Sequence, residues 1–188
     1  GTVPVLDRDY EEEELWDNFT SFAREVAPVA EEAGVRVGIH PDDPPGVKLG
    51  GVPRPIFSSF AGYKRAMEIA DSPNVGLCLC IGCWLEGGEG MGPGVEETIR
   101  YFGGQEKVFK VHYRNVDRPL PHFVETFVDD GYFDMYRAMK VLQEVGFDGT
   151  LIPDHVPLMG DDPRLGTAYT IAYMRALQKR AQEESTGN

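Results

Sequence analysis

His40, Cys80, His112 and Asp154 are the residues of this sequence whose types and placement can do metal chemistry. Imidazole, thiolate and carboxylate are the side chains that bind divalent transition ions. Each of the four closes or follows a short apolar stretch, at Val35 to Ile39, Leu77 to Cys80, Val108 to Val111 and Thr150 to Ile152. Side chains alternate faces along a strand. Val35, Val37 and Ile39 therefore share one parity, and Arg36, Gly38 and His40 the other. Leu77 and Leu79 oppose Cys78 and Cys80, Phe109 and Val111 oppose Lys110 and His112, and Leu151 opposes Thr150, Ile152 and Asp154. The first parity is expected to face covering helices and the second to face away from them. Four ligand types are then expected in one register at the carboxyl ends of four strands, where parallel α/β proteins place their active sites. The thiolate by itself favours a soft ion such as Zn2+ or Fe2+.

The neighbouring residues are read more plainly. Cys78-x-Cys80-x-x-Cys83 is half of a zinc knuckle, and no second cysteine pair completes it. Cys78 is expected in the core, Cys83 as a small buried loop residue, and His122 as a bystander between Pro121 and Phe123. His155 follows Asp154 directly and is a candidate general acid or base, since imidazole titrates near neutral pH. Adjacent strand residues point apart, so this role requires the strand to end at Pro153. Tyr169 is expected to open the last helix, as a proton donor or as packing. Arg54 and Arg114 have the planar fork that grips a carboxylate; with Asp42 they make the candidate substrate-binding set.

The elements that must position these groups alternate helix and strand. Leu15, Phe19, Phe22, Val26, Val29 and Ala33 step at three and four residues and predict a helix face, with Glu11 to Glu14 in the first turn and Gly34 ending it. Residues 41–55 are rich in Pro and Gly and predict a loop. Ser58 or Ser59 caps a helix through Tyr63, Met67 and Ala70. Gly82 to Gly94 reads as a glycine-rich loop, Val95 to Phe102 as a helix, and Met135, Met139, Leu142 and Val145 as another. A last helix carries Ile171, Met174, Leu177 and Ala181, with a polar tail fraying from about Gln182. Four strands and five helices in alternation predict a single α/β domain over residues 1–188 with a parallel sheet. A closed eight-stranded barrel takes about 250 residues. The expectation is therefore a small open sheet or the C-terminal half of a barrel.

Composition narrows the class. Over 188 residues, 31 acidic side chains against 18 basic give a net charge of −13, which excludes a basic nucleic-acid face and a polybasic membrane patch. The 41% hydrophobic fraction supports a packed core. No apolar run reaches the roughly 18 residues of a membrane span. Three cysteines clustered within six residues suit a reduced, cytoplasmic protein rather than a disulfide framework.

Several strings together resemble one family. Glu31-Glu-Ala-Gly-Val-Arg36 and Ile39-His-Pro-Asp-Asp-Pro-Pro45, with Val52-Pro-Arg54, Cys80-x-Gly82, His112-x-Arg114, Asp134-Met-Tyr136 and Pro153-Asp-His155, resemble the D-mannonate dehydratases in family order. The resemblance implies a xylose-isomerase-like TIM barrel with one divalent ion, Mn2+ or Fe2+. It implies conversion of D-mannonate to 2-keto-3-deoxy-D-gluconate in hexuronate (glucuronate) breakdown. Carried over by position, the metal ligands are His40, Cys80, His112 and Asp154, the acid–base histidine is His155, and the partner tyrosine falls at or beside Tyr169. Val156-Pro157 departs from the Gly-His common in the family, as does the loop Gly46 to Gly51. The family's first four strands would precede Gly1. The implied partner is a small sugar acid; a second copy of the chain or an N-terminal half-barrel would cover open strand edges. Two alternatives stand beside this one: a related metal-dependent sugar isomerase or epimerase, and a non-catalytic half-barrel.

Overall fold

A computed structural model describes residues 8, 10–47 and 56–186. Helix α1 (Glu12–Ala33) carries Glu12, Glu13 and Glu14 in its first turn, where carboxylates offset the helix dipole. It ends at Gly34, whose left-handed φ of 64° lets the chain turn back. Its buried face is Trp16, Phe19, Ala23, Ala27 and Ala30. This corrects the sequence expectation by about one position: Phe22 is 55% and Val29 63% exposed. The apolar count favoured large side chains, whereas the packing uses alanines that let α1 approach its neighbour closely.

Strand β1 (Val37–Ile39) is followed by the Pro-rich loop and by α2 (Phe60–Ala70), capped by Ser59 Oγ accepting from Gly62 N at 3.1 Å. Strand β2 (Val75–Cys80) is buried along its whole length. The next stretch is not the loop expected over Gly82 to Gly94. It begins as helix α3 (Ile81–Gly87) and continues in a 3-10 turn over Gly88–Met91. Ile81, Trp84 and Leu85 bury there, and that apolar gain outweighs the poor helix propensity of the glycines. Helix α4 (Val95–Gly103) leads to β3 (Val108–Tyr113), so His112 lies inside its strand rather than beyond it. A two-residue antiparallel hairpin, β4 (Asn115–Val116) with β5 (Glu125–Thr126), follows and has no counterpart in the sequence reading. Helix α5 (Met135–Glu144), capped by Asp134, leads to β6 (Thr150–Pro153). Helix α6 (Pro163–Thr186) starts six residues before Tyr169 and runs past Gln182, where fraying was expected. Pairs Lys179–Glu183 and Arg180–Glu184 line that last stretch.

The sheet order is β1-β2-β3-β6, all parallel. The main core packs Leu77, Leu79 and Val111 of the sheet with Ile99, Phe102, Ala138 and Leu142 of the helices. A smaller cluster joins α1 to α2, where Phe57 meets Phe19 and Trp16 edge-on at 5.3 and 6.2 Å between ring centroids. Among the described residues no helix is long and apolar enough to cross a membrane.

Candidate metal centre

Parallel pairing sets the ligand-type residues side by side. Cys80 pairs with His112 across β2 and β3, His112 pairs with Ile152 of β6, and Asp154 stands just past that strand. His40 follows the last residue of β1. Donor atoms of Cys80, His112 and Asp154 all lie within 4.8 Å of one another, and so do those of His40, Cys80 and Cys83. Cys80 is common to both groups. Its Sγ is 3.7 Å from Asp154 Oδ2, and the His40 and His112 rings stand 4.9 Å apart between centroids. The structure thus brings His40, Cys80, His112 and Asp154 together, with Cys83 joining from α3.

The donor set fits a divalent cation on three grounds. His40 Nδ1 lies 2.7 Å from the Pro41 carbonyl oxygen, which only accepts, so the proton sits on Nδ1 and Nε2 is left as a ligand atom. Among the described residues, His112 Nδ1 is a buried polar atom without a hydrogen-bond partner, and Asp154 Oδ1 lies 3.6 Å from it. The cluster also favours positive charge: Asp154, then Cys78 and Cys80, push the His112 imidazole up to about 11. Cys80 raises His40 likewise. The Cys80 thiol is held well below its ordinary range by Cys83, then against burial by His112, His40 and Arg114. Thiolate, carboxylate and two imidazoles around one sulfur are a transition-ion donor set.

Arg114 departs from its expected role. Its side chain is wholly buried, and its guanidinium is engaged by the protein's own groups. Nη1 meets Glu86 and, at 2.8 Å, Glu125 Oε1; Nη2 donates to Asp43 Oδ2 at 3.0 Å; Nε lies 3.2 Å from Asp154 Oδ2. Nη2 also faces the sulfurs of Cys83 and Cys80 at 3.4 and 3.5 Å. Asp43, Cys83 and Glu86 form a further group with donor atoms within 4.8 Å of one another, and this guanidinium contacts each of its three members. Arg114 is therefore a brace behind Cys80, Cys83 and Asp154. Gly82 makes room for it: a Cβ there would stand 2.7 Å from Arg114 Cζ.

The proton-transfer candidates separate. Strand β6 ends at Pro153, as the His155 role requires, and His155 takes a left-handed φ of 43° that turns it back beside Asp154. Its Nδ1 is 2.5 Å from Glu125 Oε1 and its Nε2 3.9 Å from Asp154 Oδ1. Burial works against its charged form, but Glu125 leads the influences that raise it above the ordinary imidazole range. Tyr169 instead donates its hydroxyl to Asp129 and packs edge-on against Phe127 at 5.7 Å. Asp42 ties the Pro-rich loop, accepting from Ser58 Oγ at 3.0 Å. Arg54 lies outside the described residues. His122 is exposed, and Cys78 is buried as expected.

Sequence reasoning missed Glu86 and Glu125. Glu86 left one signal, a lone charge in the apolar run Ile81 to Gly87. Glu125 left none, because a two-residue strand is too short to show a period.

The D-mannonate dehydratase (UxuA) family model matches residues 5–185. The chain belongs to the D-mannonate dehydratase family. Mannonate dehydratase 2 of Halalkalibacterium halodurans is 39% identical over 147 residues, covering 77% of this chain and 41% of that protein. The crystal structure of mannonate dehydratase from Streptococcus suis serotype 2 superposes with a TM-score of 0.84 at 28% identity, over 94% of this chain and 52% of that one. A xylose isomerase domain protein from Alicyclobacillus acidocaldarius shares the fold, with a TM-score of 0.70 at 20% identity, over 93% of this chain and 62% of that one. The architecture is thus α/β of the xylose-isomerase-like TIM-barrel type. The chain spans about half the length of these mannonate dehydratases.

Proposed function

We propose that this chain acts in a hydro-lyase converting D-mannonate to 2-keto-3-deoxy-D-gluconate, in hexuronate breakdown. One divalent ion, Mn2+ or Fe2+, would be held by His40, Cys80, His112 and Asp154. The observation that carries the reading is the gathering of donors from four separate strand ends about the Cys80 sulfur, in a chain of this family. When bound, the ion would stabilise the negative charge that develops as a proton leaves the carbon beside the substrate carboxylate.

The remaining work falls to this chain's side chains. The reaction removes the C2 proton and the C3 hydroxyl, which leave together as water; the resulting enol becomes the 2-keto group as its hydroxyl gives up a proton and C3 takes one. One group must take the proton and another must protonate the departing hydroxyl. His155 is one, with Nε2 turned toward the ligand carboxylate of Asp154. Tyr169, whose hydroxyl donates to Asp129, is the candidate for the other. Arg114 holds Cys80 and Asp154 from behind, leaving Arg54 and Asp42 as the candidates that meet the sugar acid. Three free cysteines support a reducing, cytoplasmic setting.

The test pairs metal content with formation of the 2-keto-3-deoxy acid, in protein carrying the complete barrel. His112→Ala is expected to lose both ion and turnover. His155→Ala is expected to keep the ion while kcat falls by about 10²–10⁴, the range for a lost acid or base. A His155→Ala protein that emptied of metal, or turned over like the parent, would refute the division of roles.

A further inference from the structure

Glu125 stands outside every residue the proposed reaction uses, yet it touches two of its key groups. Its strand is fixed in place: Glu125 pairs with Val116 across the hairpin, and Asp117 clamps the neighbouring Val124. Asp117 N donates to Val124 O at 3.0 Å, and Val124 N donates to Asp117 Oδ1 at 2.7 Å. A single oxygen of Glu125, Oε1, then receives both Arg114 Nη1 at 2.8 Å and His155 Nδ1 at 2.5 Å. Arg114 cannot swing away, since Asp43 and Glu86 hold its other donors in a fully buried position.

We propose that Glu125 is the positioning residue of His155: it accepts the Nδ1 proton and so leaves the Nε2 lone pair facing the metal ligands. The proposal rests on the acid–base reading of His155 given above. A neutral imidazole has one N–H, and the partner of one nitrogen decides which carries it. An oxygen already accepting from a guanidinium only accepts, so the proton between it and His155 belongs to Nδ1. Nε2 is then the free nitrogen, and it is the one 3.9 Å from Asp154 Oδ1. The His155 side chain is 45% exposed, so burial alone does not fix its ring orientation. Glu125 supplies that constraint, and Arg114 ties it to the brace behind Cys80 and Asp154. The arrangement follows the nucleophile–base–orienter logic of other enzymes, with a carboxylate holding an imidazole in the reactive tautomer.

The experiment uses protein carrying the complete barrel, with 15N in the histidine rings: the ring spectra are taken with diamagnetic Zn2+ in the site, and turnover is measured with Mn2+ or Fe2+. The neutral His155 ring is expected to show a protonated Nδ1 and a bare Nε2 in the parent. In Glu125→Ala it should relax to the tautomer mixture of free histidine. In the same variant kcat should fall about 100-fold, with KM and metal content unchanged. Glu125→Gln still accepts through its amide oxygen, so it should keep the parent tautomer and recover about tenfold of the lost kcat. The proposal is overturned if Glu125→Ala leaves the tautomer as in the parent, or leaves kcat within about two-fold. It is also overturned if the loss falls on KM or metal content alone, which would make Glu125 a support of the hairpin. If parent and variants all fail to dehydrate an aldonate, the reading of the reaction falls, while the ring spectra still decide the role of Glu125.

Discussion

Around Arg114, single atoms decide what the site tolerates. The guanidinium fills the space beside Gly82, so a methyl group there must displace a buried side chain held by several carboxylates. Gly82→Ala is expected to cost about 1–3 kcal/mol, the usual penalty of overpacking, read as a lower urea midpoint. Glu86 carries a second prediction. Burial pushes it up to about 8 even beside Arg114. A carboxyl raised in the folded state is protonated there while the unfolded chain has released its proton. Its stabilising contribution is therefore complete below the ordinary value near 4.5 and is lost as pH rises through about 8. Chelator-treated protein should lose urea resistance across that window, and Glu86→Gln should flatten the difference; a parent and variant with parallel pH curves would contradict it. The same neighbourhood marks how far the sequence could be read. The meeting of His40, Cys80, His112 and Asp154 was legible because strand parity is a local rule that needs only a few residues. Arg114 was legible as an arginine near the site but not as its brace, because its partners Asp43, Glu86 and Glu125 come from three other segments.

Helix α1 shows the corresponding limit for elements. Its existence, its acidic first turn and its end at Gly34 follow from pattern and chemistry that are local. Its buried face does not, because apolar residues occupy two stripes, and the tertiary partner α2 selects the one with Trp16 and the small alanines. Trp16→Ala should cost about 3–5 kcal/mol as a core truncation, whereas Phe22→Ala should stay within about 0.5 kcal/mol. Urea unfolding of the two variants side by side checks the assignment, and equal losses would contradict it. Helix α3 was hidden for a different reason. Its glycines argue for a loop, whereas the burial of Ile81, Trp84 and Leu85, the close fit of Gly82 to Arg114 and Cys80 Sγ accepting from Cys83 N at 3.5 Å together explain a helix there. The β4–β5 hairpin was invisible to periodicity, although it delivers Glu125 to His155.

At the scale of the molecule, parallel order is what converts four distant residues into one centre. The alternation of helices and strands announced that order, and sheet β1-β2-β3-β6 realises it with His40, Cys80, His112 and Asp154 at one end. The charge balance reinforces the assignment. A chain of net charge −13 places the carboxylates of Asp43, Glu125 and Asp154 around one arginine beside the Cys80 thiolate. Such a cluster attracts a cation and, without one, opposes an anionic sugar acid. The central claim is that Cys80, and not its neighbour Cys83, is the thiolate ligand of a single ion. Elemental analysis of the Cys80→Ser and Cys83→Ser proteins, purified alike after loading with Mn2+ or Fe2+, tests it most directly. Cys83→Ser is expected to keep one ion per chain, as the parent does, while Cys80→Ser retains little. Metal retained at the parent level in Cys80→Ser, or lost equally from both variants, would contradict it.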